Sequence, residues 1–337
     1  MLHTAIIGMG GFGTNLARRV TDHPDATIAA AVDVNPDNLE RAAGTFDLDD
    51  EILFTDAAEM YAESTLDAVV IATPPAFHRQ QIQDAFDRGL HVLCEKPVVI
   101  DLEEAHEIAA LAESSDLTLM AGYQRHLDPA FREGYRRWHE GDAEPTFITG
   151  ELTQDWSAHF ESGTNWRTDP EIGGRGHLFS VGTHVVESIL WMTGLTPTHV
   201  AAEMEFYDDE EWIDMQSSLT VRFDNGSIAS LADSAAVATE RERIRIWDEN
   251  GALQLNARDW GRPTLTELDT EGTETVREVD HEGAEGKFEA FARAIETGEE
   301  PPATVDDVLR VTALLDAAYE SARTGERVAV DLETTSL

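Results

Sequence analysis

Residues 2–33 read LHTAIIGMGGFGTNLARRVTDHPDATIAAAVD, and this stretch decides the fold. A short apolar run, His3–Ile7, leads into Gly8-Met9-Gly10-Gly11-Phe12-Gly13, then a helical pattern to about Asp22, then a second apolar run, Ala26–Val32, that stops at Asp33. Six residues of glycine pattern are weak alone. A strand before them, a helix after them and an acidic residue at the end of the next strand make a dinucleotide site the specific reading. Gly8 permits the tight turn, Gly10 lets backbone N–H groups reach a pyrophosphate, and Gly13 lets the helix pack on the strand. The helix N-terminus supplies partial positive charge. Asp33 is suited to accept from ribose hydroxyls and repels a 2′-phosphate. No arginine adjoins it, so NAD is favoured over NADP.

Outward from this stretch, strand and helix keep alternating to about residue 122. Asp37–Ala43 reads as helix and Ile52–Phe54 as a short strand. Leu66–Ala72 is a strand closed by Thr73-Pro74-Pro75. Residues 76–88 are a helix ended by Gly89, followed by strand Leu90–Cys94, helix Leu102–Glu113 and strand Leu117–Gly122. Continuous apolar strands alternating with helices imply a parallel sheet covered on both faces. Asp128-Pro129 then opens a helix in N-cap and N1 style. From about residue 145 strands follow one another directly: Thr146–Trp156, Thr198–Phe206, Asp214–Phe223, Ser227–Ala236, Arg241–Trp247 and Ala252–Asn256, with a hairpin turn at Asp224-Asn225-Gly226. Such succession implies antiparallel pairing. A long helix near 175–193 interrupts it, and helices near 284–297 and 304–323 close the chain. The expected architecture is α/β: a doubly wound parallel Rossmann sheet over residues 1–122 that binds a dinucleotide, then an α+β domain over 123–337 with a large, mostly antiparallel open sheet for substrate binding and oligomerisation.

Composition excludes several functions. The 337 residues carry 66 acidic and 24 basic side chains, a formal net charge of −42. A nucleic-acid binder needs a basic footprint, and an anionic membrane repels this chain. The charge is spread along periodic apolar sequence rather than gathered in a tail, which reads as a folded protein from a high-salt, halophilic source. No apolar run approaches the ~18 residues of a membrane helix. The start has no basic region before its apolar run, so no signal peptide is expected. One cysteine, Cys94, excludes an intrachain disulfide and a multi-cysteine zinc site, and fits a reducing cytoplasm. No metal is expected.

Of the 24 basic residues, only Lys96 and Lys287 are lysines. Lysine can release its proton and arginine cannot, so a retained lysine invites a chemical reading, chance retention being the plain alternative. Lys96 lies in Cys94-Glu95-Lys96-Pro97, at the carboxyl end of the fifth strand, where ligands bind in open α/β sheets. Pro97 is a candidate for a cis bond. An ordinary Glu95–Lys96 ion pair is the competing reading, weakened because neighbours on a strand face opposite sides. The second half offers GGRGHLFSVGTHVVE, residues 173–187. On a regular helix His177, Ser180 and His184 share one face, with Leu178, Val181 and Val185 on the adjacent apolar stripe. A buried, satisfied histidine is the competing reading for each ring. Trp156, Trp166, Arg167, Arg175, Tyr123 and Arg125 are further candidates to line a substrate site. Arg167 and Arg175 suit bidentate grip of a carboxylate or phosphate, against ordinary ion pairs with the many acids.

With these residues in view the chain resembles the glucose–fructose oxidoreductase / inositol dehydrogenase (Gfo/Idh/MocA) family over almost its full length. The likeness is carried by Gly8–Gly13, Ala72-Thr73-Pro74-Pro75 with His78, Glu95-Lys96-Pro97, Trp166-Arg167, the glycine-rich helix leading to His184, and the closing stretches 291–295 and 319–322. The resemblance implies NAD(P)-linked oxidation or reduction of a sugar, cyclitol or derivative, and a homodimer or homotetramer through the C-terminal sheet. It implies cofactor contacts at Gly8, Gly10, Phe12, Gly13, Asp33, Thr73, Pro74, His78, Glu95 and Lys96. Lys96, His184 and Ser180 are the implied catalytic set, and Tyr123, Arg125, Trp166, Arg167 and His177 the substrate contacts. The family often carries an aspartate four residues before the histidine; here Ser180 stands there and supplies no charge. Imidazole, titrating near ~6.5, suits the base role directly, so His184 is the expected base with Lys96 assisting. A redox-assisted NAD-dependent glycosidase and a non-catalytic NAD-sensing regulator remain open.

Overall fold

The computed structural model describes residues 1–162 and 165–332. The chain divides into two compact units: Met1–Val99 with Glu103–Gln124 and Glu285–Val305, and Ile100–Leu102 with Arg125–Ala284 and Asp306–Leu337. Among the described residues no helix is long and apolar enough to cross a membrane.

The first unit is built on β1 (Leu2–Ile7), α1 (Gly11–Asp22), β2 (Ala26–Val32), α2 (Pro36–Phe46), β3 (Leu53–Phe54), α3 (Ala57–Glu63), β4 (Ala68–Ile71), α4 (His78–Phe86), β5 (His91–Cys94), α5 (Leu102–Glu113) and β6 (Leu119–Ala121). Its six strands lie in the order β3-β2-β1-β4-β5-β6, every pair parallel. The pattern follows from the residues. All four side chains of β4 are fully buried, as parallel strands covered on both faces require. On α1 the buried positions Gly13, Leu16, Ala17 and Val20 recur at three- and four-residue steps. Asn35 caps α2, its side chain accepting from the Asp37 N–H, with Pro36 at the first turn. The expected helix 76–88 opens instead as a 3-10 turn, Pro75–Phe77, because the proline pair starts the turn one residue early.

The second unit contains α6 (Pro129–His139), β7 (Phe147–Asp155), α7 (Ser157–Ser162), α8 (Pro170–Gly173), α9 (Thr183–Thr193), β8 (Pro197–Phe206), β9 (Asp214–Phe223), β10 (Ile228–Ser234), β11 (Ala236–Asp248), β12 (Gly251–Arg258), β13 (Thr264–Leu268) and β14 (Glu274–Arg277). The chain then runs through α10 (Lys287–Thr297), which belongs to the first unit, to α11 (Val305–Thr324) and β15 (Val328–Ala329). Nine strands form one sheet, ordered β14-β13-β12-β11-β7-β10-β9-β8-β15. All pairs are antiparallel except β7 with β10. Alternating burial along β9 and β10 marks one face against core and one toward solvent.

The helix expected near 175–193 is not regular. Leu178–Gly182 is wound as a π turn and only Thr183–Thr193 is α-helical. Glycines allow the tight approach: a Cβ on Gly176 would lie 2.2 Å from the Asp214 backbone, and one on Gly182 would lie 2.7 Å from an Asp233 carboxylate oxygen. The wider turn shifts the phase between residues before and after it, so His177 and His184 do not follow the single-face projection of a regular helix.

Candidate active site

The dinucleotide cradle sits where β1, the switch strand, lies between β2 and β4. Gly8, at φ +95°, is pressed against the chain after β4, and a Cβ there would fall 2.8 Å from the Ala72 carbonyl. A Cβ on Gly13 would fall 1.7 Å from the Gly8 oxygen, whereas one on Gly10 would meet nothing within 4 Å. Gly8 and Gly13 are therefore required by the protein itself. Gly10 is left open to the space a pyrophosphate needs, and α1 carries no acidic residue in its first turn to oppose an anion. These residues fit a nicotinamide dinucleotide. Asp33 is pinned by three donors: Met9 N–H at 2.7 Å, Asn38 Nδ2 at 2.9 Å and Asn35 N–H at 2.8 Å. Arg41 in turn donates to Asn38 Oδ1 at 2.6 Å, placing a guanidinium one side chain away from Asp33. Phe12 is exposed at the start of α1.

At the end of β5 the Lys96–Pro97 peptide is cis. Buried Glu95 has Lys287 of α10 as its ion-pair partner. The Lys96 backbone N–H lies 3.4 Å from Glu95 Oε2, and the Lys96 side chain is half-buried. Buried His78 stands between two loops, its ring nitrogens 2.9 Å from the Pro97 carbonyl and 2.8 Å from that of Thr73. Burial pulls its pKa down, against those carbonyls and Glu95. A neutral ring donates to only one carbonyl, so it staples the loops with one N–H. Thr73 donates to Gln81 at 2.7 Å, Pro74 opens the 3-10 turn, and Tyr123 is buried just after β6.

In the second unit the two histidines part company. His177 is fully buried, its Nδ1 2.7 Å from Asp233 and its ring edge-on to Trp156 at 4.8 Å. His184, in the first turn of α9, is 3 % exposed and meets Trp260 edge-on, centroids 5.5 Å apart. Ser180 is buried in the π turn. The arginines also divide. Arg125 is buried against Glu242, and Arg175 pairs with Asp316 at 2.6 Å. Arg167 lies 4.2 Å over the ring of Trp166 and pairs with no carboxylate among the described residues; burial lowers its pKa. Buried Asp214 accepts from Leu178 N–H at 2.9 Å and from Tyr319. Burial, and then the Asp233 charge, push it up to about 6. No group of three or more metal-ligating side chains forms among the described residues.

Sequence reasoning passed over Trp260. Asp259 and Trp260 both adopt left-handed backbone, φ 50° and 52°, and the Gly261 N–H donates to the Arg258 carbonyl at 2.8 Å. This is a β-turn with both central residues left-handed, of the kind that favours Asn-Gly or Asp-Gly, within the 259–263 connection between β12 and β13. A bulky side chain there costs roughly 1–2 kcal/mol. The indole stays 41 % exposed. Glu240 lines the same small cleft as Trp260 and accepts from Gln154 at 3.4 Å. The Asp259-Trp260-Gly261 tripeptide between two strands was the available signal.

Residues 2–123 match the family described as "Oxidoreductase family, NAD-binding Rossmann fold", and residues 143–254 match "GFO/IDH/MocA C-terminal domain". The chain is 30% identical over 336 residues to a D-xylose 1-dehydrogenase (NADP(+)) of Haloferax volcanii, covering 97% of this chain and 99% of that protein. It is 27% identical to an inositol 2-dehydrogenase of Rhizobium meliloti, covering 96% and 98%. Among solved structures, an aldose-aldose oxidoreductase from Caulobacter crescentus shares the fold, with a TM-score of 0.85 at 21% identity over 97% of this chain and 99% of that one. The cradle, the two-sheet architecture and the full-length likeness agree: this chain belongs to the Gfo/Idh/MocA family and is an NAD(P)-dependent oxidoreductase.

Proposed function

We propose that the chain interconverts a CH–OH group and a carbonyl on a sugar, cyclitol or sugar derivative. The first support is the cradle at Gly8–Gly13 with Asp33, where the bound nicotinamide dinucleotide supplies the hydride acceptor. The substrate class is supported by the relatives named for D-xylose and inositol. His184 takes the hydroxyl proton, its buried ring held on the first turn of α9. Lys96 holds the same oxygen with its ammonium, and Ser180 orients the oxygen by hydrogen bonding. Thr73, Pro74, His78 and Glu95 shape the cofactor loops, and Tyr123, Arg125, Trp166, Arg167 and His177 are the substrate contacts. A panel of D-xylose, D-glucose, myo-inositol and a hexuronate, assayed for reduced cofactor at molar KCl, tests the reading. His184→Ala should cut turnover about 10²-fold or more; near-normal turnover overturns the assignment of the base.

NAD is the cofactor Asp33 favours, since a carboxylate repels a 2′-phosphate. One observation favours NADP as a second reading: Arg41 reaches Asn38, which itself bonds Asp33. Arg41→Ala separates them. A collapse of NADP-linked but not NAD-linked kcat/KM would establish NADP; no change in the ratio leaves Asp33 in control.

The net charge of −42 supports a halophilic protein, since a Debye length of ~3 Å at 1 M salt relieves self-repulsion, and the single cysteine, Cys94, supports a cytoplasmic one. Its melting temperature should fall steeply on dilution from molar KCl, and full stability in dilute buffer would count against that origin. The solvent-facing side of the nine-stranded sheet is proposed as the surface for homodimer or homotetramer formation, and a monomeric mass at molar KCl refutes it.

A further inference from the structure

The Asp259-Trp260 turn spends conformational energy on a side chain. Glycine at position 260 would adopt φ 52° without strain, so the folding of the hairpin gives no reason for a tryptophan there. The ring is not buried to recover that cost, being 41 % exposed. It stands edge-on to His184 at 5.5 Å, and the buried Arg125 guanidinium lies 5.9 Å from its centroid. Glu240 lines the same cleft as the indole; it accepts from Gln154 at 3.4 Å, and Gln154 in turn accepts from the Trp156 indole at 3.0 Å. The ring borders a small, water-sized depression that it shares with Glu240, Arg241, Glu242, Arg258 and Asp259. An exposed flat ring, an acceptor carboxylate at its rim and an imidazole against its edge make the combination that receives a carbohydrate. Apolar C–H faces of a sugar lie on the ring while its hydroxyls bond to the rim.

We propose that Trp260 is the sugar-stacking platform of this enzyme, and that the strained turn exists to present its ring beside His184. The ligand class is a pyranose or cyclitol with at least one face of axial C–H bonds, and Glu240 takes a hydroxyl hydrogen at the ring's edge. The proposal rests on the reading of His184 as the base on a sugar hydroxyl.

The experiment compares wild type with Trp260→Gly, Trp260→Leu and Trp260→Phe at molar KCl. It reads melting temperature, steady-state kinetics on the best substrate of the sugar panel, and the change in indole fluorescence on titration with D-xylose, D-glucose and myo-inositol. The platform predicts that Trp260→Gly melts within about 3 °C of wild type, since relief of strain offsets the entropy glycine adds to the unfolded chain. Its KM should rise tenfold or more with a smaller change in kcat. Trp260→Leu, which keeps bulk at the turn but no aromatic face, should lose KM equally, and Trp260→Phe should stay within about threefold of wild type. An unchanged KM in Trp260→Leu overturns the platform and leaves the dehydrogenase reading intact. A sugar-dependent fluorescence change lost in Trp260→Phe, with no sugar oxidised, keeps the platform and overturns that reading. Neither turnover nor a fluorescence response in wild type overturns both.

Discussion

The two units build their candidate sites from different materials. In the first, the site is built from backbone: Gly8 and Gly13 are packed tightly at the turn into α1 and Gly10 is open, Asp33 is held chiefly by N–H donors, and His78 faces two carbonyls. In the second, it is built from side chains: Asp233 on His177, Glu242 on Arg125, Asp316 on Arg175, Tyr319 on Asp214, and a tryptophan forced into left-handed backbone. The contrast is clearest at two positive-φ residues. Gly8 has no room for a side chain, and Trp260 sits where none is needed. A backbone device should fail when an atom is added, and a side-chain device when a partner is removed.

The largest effect is expected from adding one carbon to the first device. Gly13→Ala places its Cβ 1.7 Å from the Gly8 oxygen, well beyond ordinary overpacking, so the loss should exceed about 3 kcal/mol. Dinucleotide binding measured by nicotinamide fluorescence should disappear with it. Gly10→Ala sharpens the point, because nothing lies within 4 Å of the new atom. Its melting temperature should stay within about 2 °C of wild type while dinucleotide affinity falls roughly tenfold or more. Equal effects of the two variants on stability would break the distinction between a glycine the fold needs and one the ligand needs.

Removing a partner tests the second device. Arg125 and Glu242 are 6 % exposed each, and burial raises the Glu242 pKa in spite of the guanidinium beside it. Arg125→Met strands a buried carboxylate and should cost about 3–5 kcal/mol in urea unfolding at molar KCl. The double change Arg125→Met/Glu242→Leu should recover most of that loss, since a buried pair and a well-packed apolar pair are often close in stability. If the double variant is no better than the single one, the pair is not the unit that matters. A sugar KM that stays raised in a double variant of restored stability would show that Arg125 also touches substrate.

The same contrast explains what was legible in the sequence. Glycine spacing encodes a backbone turn locally, so residues 8–33 specify both the fold of the first unit and its cradle, and Lys96-Pro97 is placed by the strand it ends. Side-chain devices join residues far apart: His177 to Asp233 across 56 positions and Arg125 to Glu242 across 117. Strand register decides those partners, and no periodicity announces register between non-adjacent strands. The ordinary reading of Arg175, an ion pair with an acid, was available, but which acid was not. The regular helical projection of His177 and His184 failed because a π turn depends on what presses against Gly176 and Gly182, here Asp214 and Asp233.

The smallest expected effect concerns the buried carboxyl that the π turn leans on. Asp214 is raised from 3.8 to about 6, first by burial and then by the Asp233 charge. The folded state therefore keeps this proton to higher pH than the unfolded chain does. That contribution to stability is fully present below about 3.8 and is lost as the pH rises through about 6. At about 1.4 kcal/mol per unit it amounts to no more than about 3 kcal/mol. Asp214→Asn keeps an acceptor for the Leu178 N–H and a partner for Tyr319 while removing the titration. Its urea stability relative to wild type should therefore grow in the variant's favour as the pH rises from 4 to 7. The difference between the two proteins reports Asp214 together with its coupling to Asp233. Parallel stability curves would show that the charge of Asp214 is carried at no cost, and that the buried acids of the second unit are balanced by partners beyond Tyr319 and Leu178.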